Sequence, residues 1–264
     1  MTTYDTIDRP RFQSERQQEI ARLVLAAGRV EVADLAKRFA VTTETIRRDL
    51  SELDRRRILR RVHGGAVAYQ RIRHEPLLNV RDTQHADEKR RIARRAVEEL
   101  PGDGTIMIDS GSTTGFLAAM LPHDRELVVF TNSIPVIESL STRDGVEVNV
   151  IGGLLKKNTM AMVDDTGVDT VRGLTVDVLF MSTDRVSPER GFTTPYREEV
   201  AIKRAMIKAA RRVVMLFDHH KIGNDQIFQF ATVDEVDTIV TDDGLPAATI
   251  RALRDMGPQV ICAT

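Results

Sequence analysis

Apolar residues in the first quarter of the chain recur at helical spacing in three consecutive stretches. In residues 14–27, 32–40 and 43–56 they return every three or four positions, which predicts three amphipathic helices with one buried face each. A brief turn around Val41 separates the second stretch from the third, and Thr42 is suited to cap the third. Three short helices with a tight turn before the last predict a helix-turn-helix unit.

The next segment, ILRRVHGGAVAY (58–69), changes to an alternating pattern typical of a strand. His63-Gly64-Gly65 supplies a turn in its middle, so we predict a β-wing attached to the three helices. We assign residues 12–68 to this winged helix-turn-helix domain. Residues 69–85 show little periodicity and contain Pro76, and we interpret them as a linker to a second domain over 86–264.

Short apolar runs alternate with helical segments throughout the second domain. A helix is predicted over 86–100, and others over 113–121, 134–141, 164–173, 195–210 and 246–256. The runs between them are TIMID, LVVFT, VEVNVIG, VDVLFMS, RVVMLFD, DTIVT and QVICAT. Strands alternating with helices of this length predict a Rossmann-like α/β fold, with a mostly parallel sheet covered by helices on both faces.

The charge is divided unevenly between the two parts of the chain. Residues 1–75 hold 16 Lys and Arg against 11 Asp and Glu, a net charge of +5. The remaining residues hold 22 against 28, a net charge of −6. A basic first domain on an acidic second one indicates that the first meets a polyanion such as DNA.

The composition narrows the class of protein further. The single cysteine, Cys262, cannot form an internal disulfide, which fits a reducing compartment. No apolar run approaches the ~20 residues that a membrane span needs. We therefore expect a soluble, cytoplasmic protein with no membrane partner.

The predicted third helix keeps two arginines away from its apolar face. In a helix-turn-helix unit this helix enters the major groove, so Thr43, Glu44, Arg47 and Arg48 would meet base edges. Arginine donates two parallel hydrogen bonds to guanine. We assign phosphate contacts to Thr42 or Thr43 and to the basic run that follows, Arg55, Arg56, Arg57, Arg60 and Arg61. The alternative is an ordinary exposed helix whose arginines pair with Glu44, Asp49 and Glu52.

Polar residues cluster where the predicted strands of the second domain end. Since ligands of open parallel sheets bind beyond the carboxyl ends of the strands, these residues predict a site for a small anionic ligand. They are Asp109, Ser110, Gly111, Ser112, Thr113, Thr114, Thr131, Asn132, Gly152, Gly153, Lys156, Asp184, Asp218 and Lys221.

DSGSTTG (109–115) carries the clearest chemistry of these. Its glycines allow close approach of the backbone, and the free N–H groups of the following helix suit a phosphate. Asp109 and Asp184 could accept hydrogen bonds from sugar hydroxyls, and Lys221 could pair with the anion. A plain turn remains the alternative for this segment. His219-His220 lacks a third ligand, so we predict a solvated pair, no metal and no cofactor.

The run from Val30 to Ala66, containing VTTETIRRDLSELDRRRILRRVHGGA, resembles the winged helix-turn-helix motif of the DeoR family of bacterial transcriptional repressors. That motif is close to VS-x-x-TIRRDL-x-x-L followed by R-x-HGGA. The resemblance implies that the TIRRDL helix binds operator DNA. It assigns this role to Thr43, Thr45, Arg47 and Arg48, and the HGGA wing adds His63.

The resemblance continues in the second domain through D-S-G-x-T-T, T-N, G-G and D-x-x-K, and spans about residues 14–262. It implies a sensor domain that resembles sugar-phosphate isomerases in fold and senses phosphorylated sugars. The chain departs from the family pattern at four positions. Ser182 and Arg185 replace glycines of F-x-G-x-x-G, Asp164 replaces a glycine, and His220 stands in an altered D-x-S-K segment.

The sequence thus predicts an operator-binding repressor of sugar-metabolism genes, acting as a dimer or tetramer and controlled by a phosphorylated sugar. The effector could instead be a corepressor. The rival hypothesis is a sugar-phosphate isomerase with a DNA-binding appendage. In that enzyme Asp109 or Asp184 would be the base and Lys221 would polarise a carbonyl.

Overall fold

A computed structural model of the chain describes residues 13–27, 29–56, 58–68 and 78–264. These residues form two separate units, 13–68 and 78–264. None of the helices in the described ranges is long and apolar enough to cross a bilayer.

The first unit is a three-helix bundle with a small antiparallel sheet. Its elements are α1 Gln13–Ala27, β1 Arg29–Glu31, α2 Val32–Phe39, α3 Thr43–Arg55, β2 Leu59–Val62 and β3 Gly65–Ala68. The three helices and the wing hairpin are confirmed. The short strand β1 was missed, and it pairs with β3 to give the sheet order β1-β3-β2.

Two glycines make the wing possible. Gly64 in the turn has a φ of +80°, a conformation that favours glycine. Gly65 lies so close to β1 that an added Cβ would stand 2.0 Å from the Val30 carbonyl oxygen. The HGG turn therefore serves both to reverse the chain and to let β3 approach β1.

The second unit is built on a seven-stranded sheet whose strands are all parallel. Its order is β15-β14-β12-β9-β4-β5-β6. The strands are β4 Gly104–Ile108, β5 Leu127–Thr131, β6 Val146–Val150, β9 Val176–Ser182, β12 Ala210–Leu216, β14 Thr238–Asp242 and β15 Gln259–Ala263. All seven predicted strands are confirmed.

Helices cover both faces of this sheet, as the alternation predicted. They are α5 Ala86–Ala96, α6 Ser112–Ala119, α7 Ile134–Leu140, α8 Asp165–Arg172, α9 Arg197–Ala209 and α10 Ala247–Asp255. Strand side chains alternate between two cores. Ile106 and Ile108 pack with α5, α6 and α7, whereas Met107 packs with α8, α9 and α10.

Several small elements near the sheet were not predicted. They are α4 Leu78–Thr83, the antiparallel pair β7 Leu154–Lys156 and β8 Ala161–Val163, and a second sheet of β10 Arg185–Ser187, β11 Gly191–Thr194 and β13 Phe228–Ala231. Single 3₁₀ turns occupy Val97–Glu99, His219–Lys221 and Val233–Glu235. These segments are too short to show a period in the sequence.

The predicted linker, 69–85, is too long at its carboxyl end. Within it, α4 is a helix of the second unit that buries Leu78 and Arg81. The backbone N–H of Leu78 also donates to the Asn158 carbonyl, at 3.0 Å. Residues 69–77 of that prediction lie outside the described ranges.

Candidate functional site

The third helix of the first unit presents its arginines as the sequence predicted. Ile46 and Leu50 on its inner face have no exposed surface. Arg47 and Arg48 point outward with 52% and 81% of their side chains exposed. The Thr42 hydroxyl accepts the Thr45 N–H at 3.2 Å and caps the helix. This exposed basic face is the candidate nucleic-acid interface.

The acidic neighbours of these arginines play different parts. Glu44 lies 3.4 Å from Arg47 and 4.0 Å from Arg48, and such exposed pairs are weak. Asp49 is instead almost fully buried. It accepts hydrogen bonds from Arg16 at 2.6 Å and Gln17 at 3.0 Å. Asp49 therefore ties α3 to α1 and does not neutralise the outer face.

The wing adds further cations and a histidine to this unit. Arg60, Arg61 and His63 are exposed on β2 and the following turn. Arg61 also donates to the Ser51 hydroxyl at 2.7 Å, which joins the wing to α3. Arg57, assigned to phosphate contacts, lies outside the described residues.

The second candidate site lies where the strand order of the parallel sheet reverses. The chain proceeds outward from β4 to β5 and β6, then returns to place β9 on the other side of β4. Ligands of open α/β sheets bind at the carboxyl ends of the strands at such a point. A small cleft with a cavity volume of about 10 Å³, partly open to solvent, is found there. We call this cleft the switch-point cleft, and it is lined by Arg81, Ser110, Thr159, Ser182, Thr183, Asp184, Glu199 and Lys203.

A buried ion pair forms the floor of this region. The Lys203 ammonium lies 2.5 Å from the Asp109 carboxylate, and both side chains are almost fully buried. Burial alone lowers the pKa of Lys203, but the charges of Asp109 and Glu199 outweigh burial and raise it. Asp109 is thus engaged by a charged lysine, while Asp184, the other candidate base of the isomerase hypothesis, lines the switch-point cleft.

A second buried pair joins Lys156 to Glu199 at 2.5 Å. The other Glu199 oxygen accepts the Thr194 hydroxyl at 2.9 Å. Burial, followed by the charge of Asp184, raises the pKa of Glu199. Lys156, predicted to contact the ligand directly, is absent from the cleft lining and holds Glu199 in place.

The predicted effector residues do converge on one end of the sheet, but few line the cleft. Only Ser110 and Asp184 of that set are lining residues. Ser112, Thr113 and Thr114 are buried in the first turn of α6. Thr131 and Asn132 bond the backbone, with Thr131 donating to the Ile108 carbonyl at 2.6 Å and Asn132 to the Met162 carbonyl at 3.0 Å. Gly152 and Gly153 lead into β7.

Three lining residues that we missed come from helices. Glu199 and Lys203 lie on α9, and Arg81 lies on α4. A sequence signal existed for the first two, because they are four residues apart and share the buried face of α9 with Ile202 and Met206. Charged residues at core positions of an amphipathic helix indicate a buried polar site.

The four departures from the family pattern have distinct structural effects. Asp164 has a φ of +140°, a conformation that favours glycine. Its carboxylate compensates by accepting the N–H groups of Leu154, Thr166 and Gly167 at 3.0, 2.9 and 3.3 Å. Asp164 therefore caps α8, away from the cleft lining.

Ser182 lies in the cleft lining, while Arg185 does not. The Ser182 hydroxyl fills the space beside Gly111, where an added Cβ would stand 2.2 Å from it. Arg185 donates to the His220 carbonyl at 2.6 Å. Arg185 thus neither adds a residue to the cleft nor obstructs it.

The two adjacent histidines are 30% and 42% exposed, as a solvated pair would be, but each also has partners in the protein. His219 is bonded through Nδ1 to Asp242 at 2.5 Å. The His220 ring stacks on His85, with centroids 3.6 Å apart. Among the described residues, no three His, Cys, Asp or Glu side chains are placed to hold a metal ion.

Four cations in and beside the cleft act on one another's charges, with Asp184 and Asp218 among them, and we name Arg81, Lys89, Arg185 and Lys221 the cation cluster. Burial, followed by the charge of Lys221, lowers the pKa of Lys89 to about 8. Burial, followed by the charge of Arg81, also lowers the pKa of Lys221. Mutual repulsion of this kind is relieved when an anion binds.

A basic winged helix-turn-helix unit joined to an α/β unit with a polar switch-point cleft defines a ligand-responsive DNA-binding protein. The chain matches the family model of the DeoR-like helix-turn-helix domain over residues 16–71. It matches that of the DeoR C terminal sensor domain over residues 84–243. The chain belongs to the DeoR family of transcriptional regulators.

Relatives of similar length support this membership. The chain is 34% identical to the HTH-type transcriptional regulator GlpR of Haloferax volcanii over 94% of this chain and 97% of that protein. It is 29% identical to the glycerol-3-phosphate regulon repressor of Escherichia coli over 92% and 96% of the two chains. Among solved structures, ribose 5-phosphate isomerase A of Methanocaldococcus jannaschii is similar over 53% of this chain and 56% of that one, with 15% identity and a TM-score of 0.40.

Proposed function

We propose that this DeoR-family regulator represses sugar-metabolism genes and that a phosphorylated sugar binds its switch-point cleft. The ligand's hydroxyls would meet the polar cleft and its phosphate the cation cluster. Binding in the second unit would change the affinity of the first unit for operator DNA. By linkage, DNA would change the affinity for the sugar by the same factor.

The observation that carries this proposal is a set of buried polar atoms left without partners. Among the described residues, five buried side-chain polar atoms have no hydrogen-bond partner, and three of them are Thr159 Oγ1, Asn132 Oδ1 and Asp218 Oδ2. Such atoms are costly to bury unless something bonds them. Thr159 lines the cleft, and Asn132 and Asp218 follow β5 and β12 at the same end of the sheet. Ligand hydroxyls would supply the missing donors.

The charges beside the cleft favour a phosphate on that ligand. Within the lining, Arg81 and Lys203 balance Asp184 and Glu199, so the cleft itself suits a neutral polyol. The other three members of the cation cluster, Lys89, Arg185 and Lys221, lie next to it and supply the attraction for an anion. The name of the Escherichia coli relative, a repressor of the glycerol-3-phosphate regulon, points to the same chemical class.

A panel of phosphorylated sugars tests the proposal. Each compound would be screened by thermal shift beside its unphosphorylated form. A ligand at 100 times its Kd stabilises the folded protein by ~2.7 kcal/mol. Positive compounds would then be added to operator complexes, which also shows whether the effector releases or promotes DNA binding. No shift with any sugar phosphate would contradict the proposal.

We further infer that the bound sugar is not converted, because Asp109 is held by Lys203 and Asp184 lies 3.9 Å from the Arg81 guanidinium. Incubation of the protein with pentose and hexose phosphates should give no isomer. We also infer that the regulator binds DNA as a dimer or tetramer, with two recognition helices about one helical turn, ~34 Å, apart.

Replacing Lys221 with alanine is expected to blunt the response to sugar while leaving operator affinity intact. The substitution removes one cation of the cluster, and its position in the second unit leaves the DNA-binding residues unaltered. Operator binding would be measured by fluorescence anisotropy with and without the effector. Lys157→Ala, at an exposed lysine outside the cluster, is the matched control. Equal responses in the two variants would remove Lys221 from the site.

Affinity for the sugar phosphate is expected to fall about fivefold between pH 7 and 9, since losing one nearby charge costs ~1 kcal/mol. Lys89 is charged below its pKa of about 8 and neutral above it. The phosphate stays dianionic over this range, because its second pKa is near 6. Calorimetric titrations at pH 7, 8 and 9 measure the effect. Lys89→Arg keeps the charge and should remove the pH dependence, and constant wild-type affinity would exclude Lys89.

A further inference from the structure

The edge strand β6 has its hydrogen-bonding groups arranged in a self-complementary way. The register of β6 with β5 determines which backbone N–H and C=O groups of β6 point toward β5. The Gly145 carbonyl accepts from Leu127, and the Ile151 N–H donates to the Thr131 carbonyl. Because parallel ladders repeat every two residues, the odd-numbered residues bond to β5. The N–H and C=O groups of Val146, Val148 and Val150 therefore point away from the sheet.

The two edge strands of the seven-stranded sheet differ in whether side chains bond their outward backbone groups. On β15, the Arg254 guanidinium donates to the Val260 carbonyl at 2.8 Å and occupies one of the outward acceptors of that strand. On β6, no side chain from the described ranges bonds an outward backbone group. The strand is also regular and has no proline or lysine, the usual protections of an exposed edge.

We propose that β6 pairs antiparallel with β6 of a second copy of this chain, about a two-fold axis at Val148. In this register Val148 faces Val148 of the partner subunit, and Val146 faces Val150 of the partner subunit. The facing residues are those with outward N–H and C=O groups, so every outward group of the three valines gains a partner. The interface is isologous, as a closed dimer requires.

The side chains of β6 fit the same register on both faces of the strand. On one face the valines form three cross-strand apolar pairs, which cover Val150, now 50% exposed. On the other face Glu147 lies opposite Asn149 of the partner subunit. Asn149 already donates to Glu147 within its own strand at 2.8 Å, and pairing offers each carboxylate a second amide. Complementary cross-strand pairs of this kind stabilise antiparallel strands.

Val148→Pro tests the pairing on the full-length protein by sedimentation velocity. Proline is tolerated on an edge strand where its nitrogen faces away from the sheet, so the β5 ladder stays intact. We expect this variant to sediment at half the wild-type mass, with its thermal melting still cooperative. Cys262→Pro is the matched control, because it changes an outward position of the opposite edge and should keep the wild-type mass. Unchanged mass for Val148→Pro would overturn the proposal.

Charge variants on the exposed face of β6 provide an independent test of the pairing and leave the β5 ladder unchanged. Asn149→Glu sets two carboxylates opposite each other twice, and we expect the dimer dissociation constant to rise at least tenfold. Adding Glu147→Lys to that variant restores opposite charges and should restore the dimer. A wild-type monomer at micromolar concentrations would overturn the proposal and leave the edge to a different partner. Asn149→Glu with wild-type affinity would also exclude this register.

Discussion

Replacing Lys203 with methionine is expected to lower the free energy of unfolding by ~3–5 kcal/mol. The substitution leaves the Asp109 carboxylate buried without its partner, which lies 2.5 Å away in the wild type. It also removes one of the charges that offset the burial of Glu199. Urea denaturation at pH 7 measures the loss, which is a large part of the stability of an ordinary domain.

Two further variants separate the effect of breaking the ion pair on stability from the effect of losing a lysine. Lys208→Met changes an exposed residue of the same helix and is expected to cost less than ~0.5 kcal/mol. Combining Asp109→Leu with Lys203→Met replaces both charges, and should recover most of the lost stability, since buried pairs often exchange for apolar residues at little cost. A single variant as stable as the control would show that the pair has no structural role.

The strands around this ion pair could be predicted from the sequence, but their arrangement could not. The seven strands of the parallel sheet were predictable because each is a short apolar run between helices, and burial on both faces demands such runs. Their order was not predictable. The placement of β9 beside β4, which creates the switch-point cleft, depends on contacts between residues ~70 positions apart, as Ile106 and Val178 show.

The site could be located by sequence only in outline. Ser110 and Asp184 follow strands, and the rule on strand ends found them. Arg81, Glu199 and Lys203 come from helices that cross those ends, and a periodic pattern does not indicate where a helix lies over a sheet. Lys156 was assigned to the ligand because it follows a Gly-Gly turn. Its ammonium instead forms an ion pair with the Glu199 carboxylate, at 2.5 Å.

The DNA-binding unit was more predictable than the sensor unit because its function depends on local geometry. Helical periodicity alone placed Ile46 inside and Arg47 outside, and both are found there. Asp49 is the exception. Its charge suggested a surface pair, but it lies on the inner face of α3, and bonds to α1 satisfy both oxygens.

Arg47→Ala is expected to weaken operator binding by ~1–3 kcal/mol and to relax base preference at one position. Arg47 lies one turn into α3, where a recognition helix meets base edges. Its pair with Glu44, 3.4 Å away and exposed, is too weak to compete with two hydrogen bonds to guanine. An operator selected from random duplexes would be titrated against wild type and variant by fluorescence anisotropy.

A matched loss of charge distinguishes base reading from general attraction to DNA. Arg22→Ala removes an arginine of comparable exposure, 64% against 52%, from α1 of the same unit, where it pairs with Glu19 at 2.7 Å. If Arg47 contacts a base, its variant loses affinity for the operator by roughly 5- to 150-fold, while random DNA is affected no more than by Arg22→Ala. If Arg47 contacts a phosphate instead, its loss would weaken binding to both DNAs equally and reduce the salt dependence of binding. Equal losses on the two DNAs would therefore assign Arg47 to the backbone and leave Arg48, with the more exposed side chain of the two, as the residue to test for base reading.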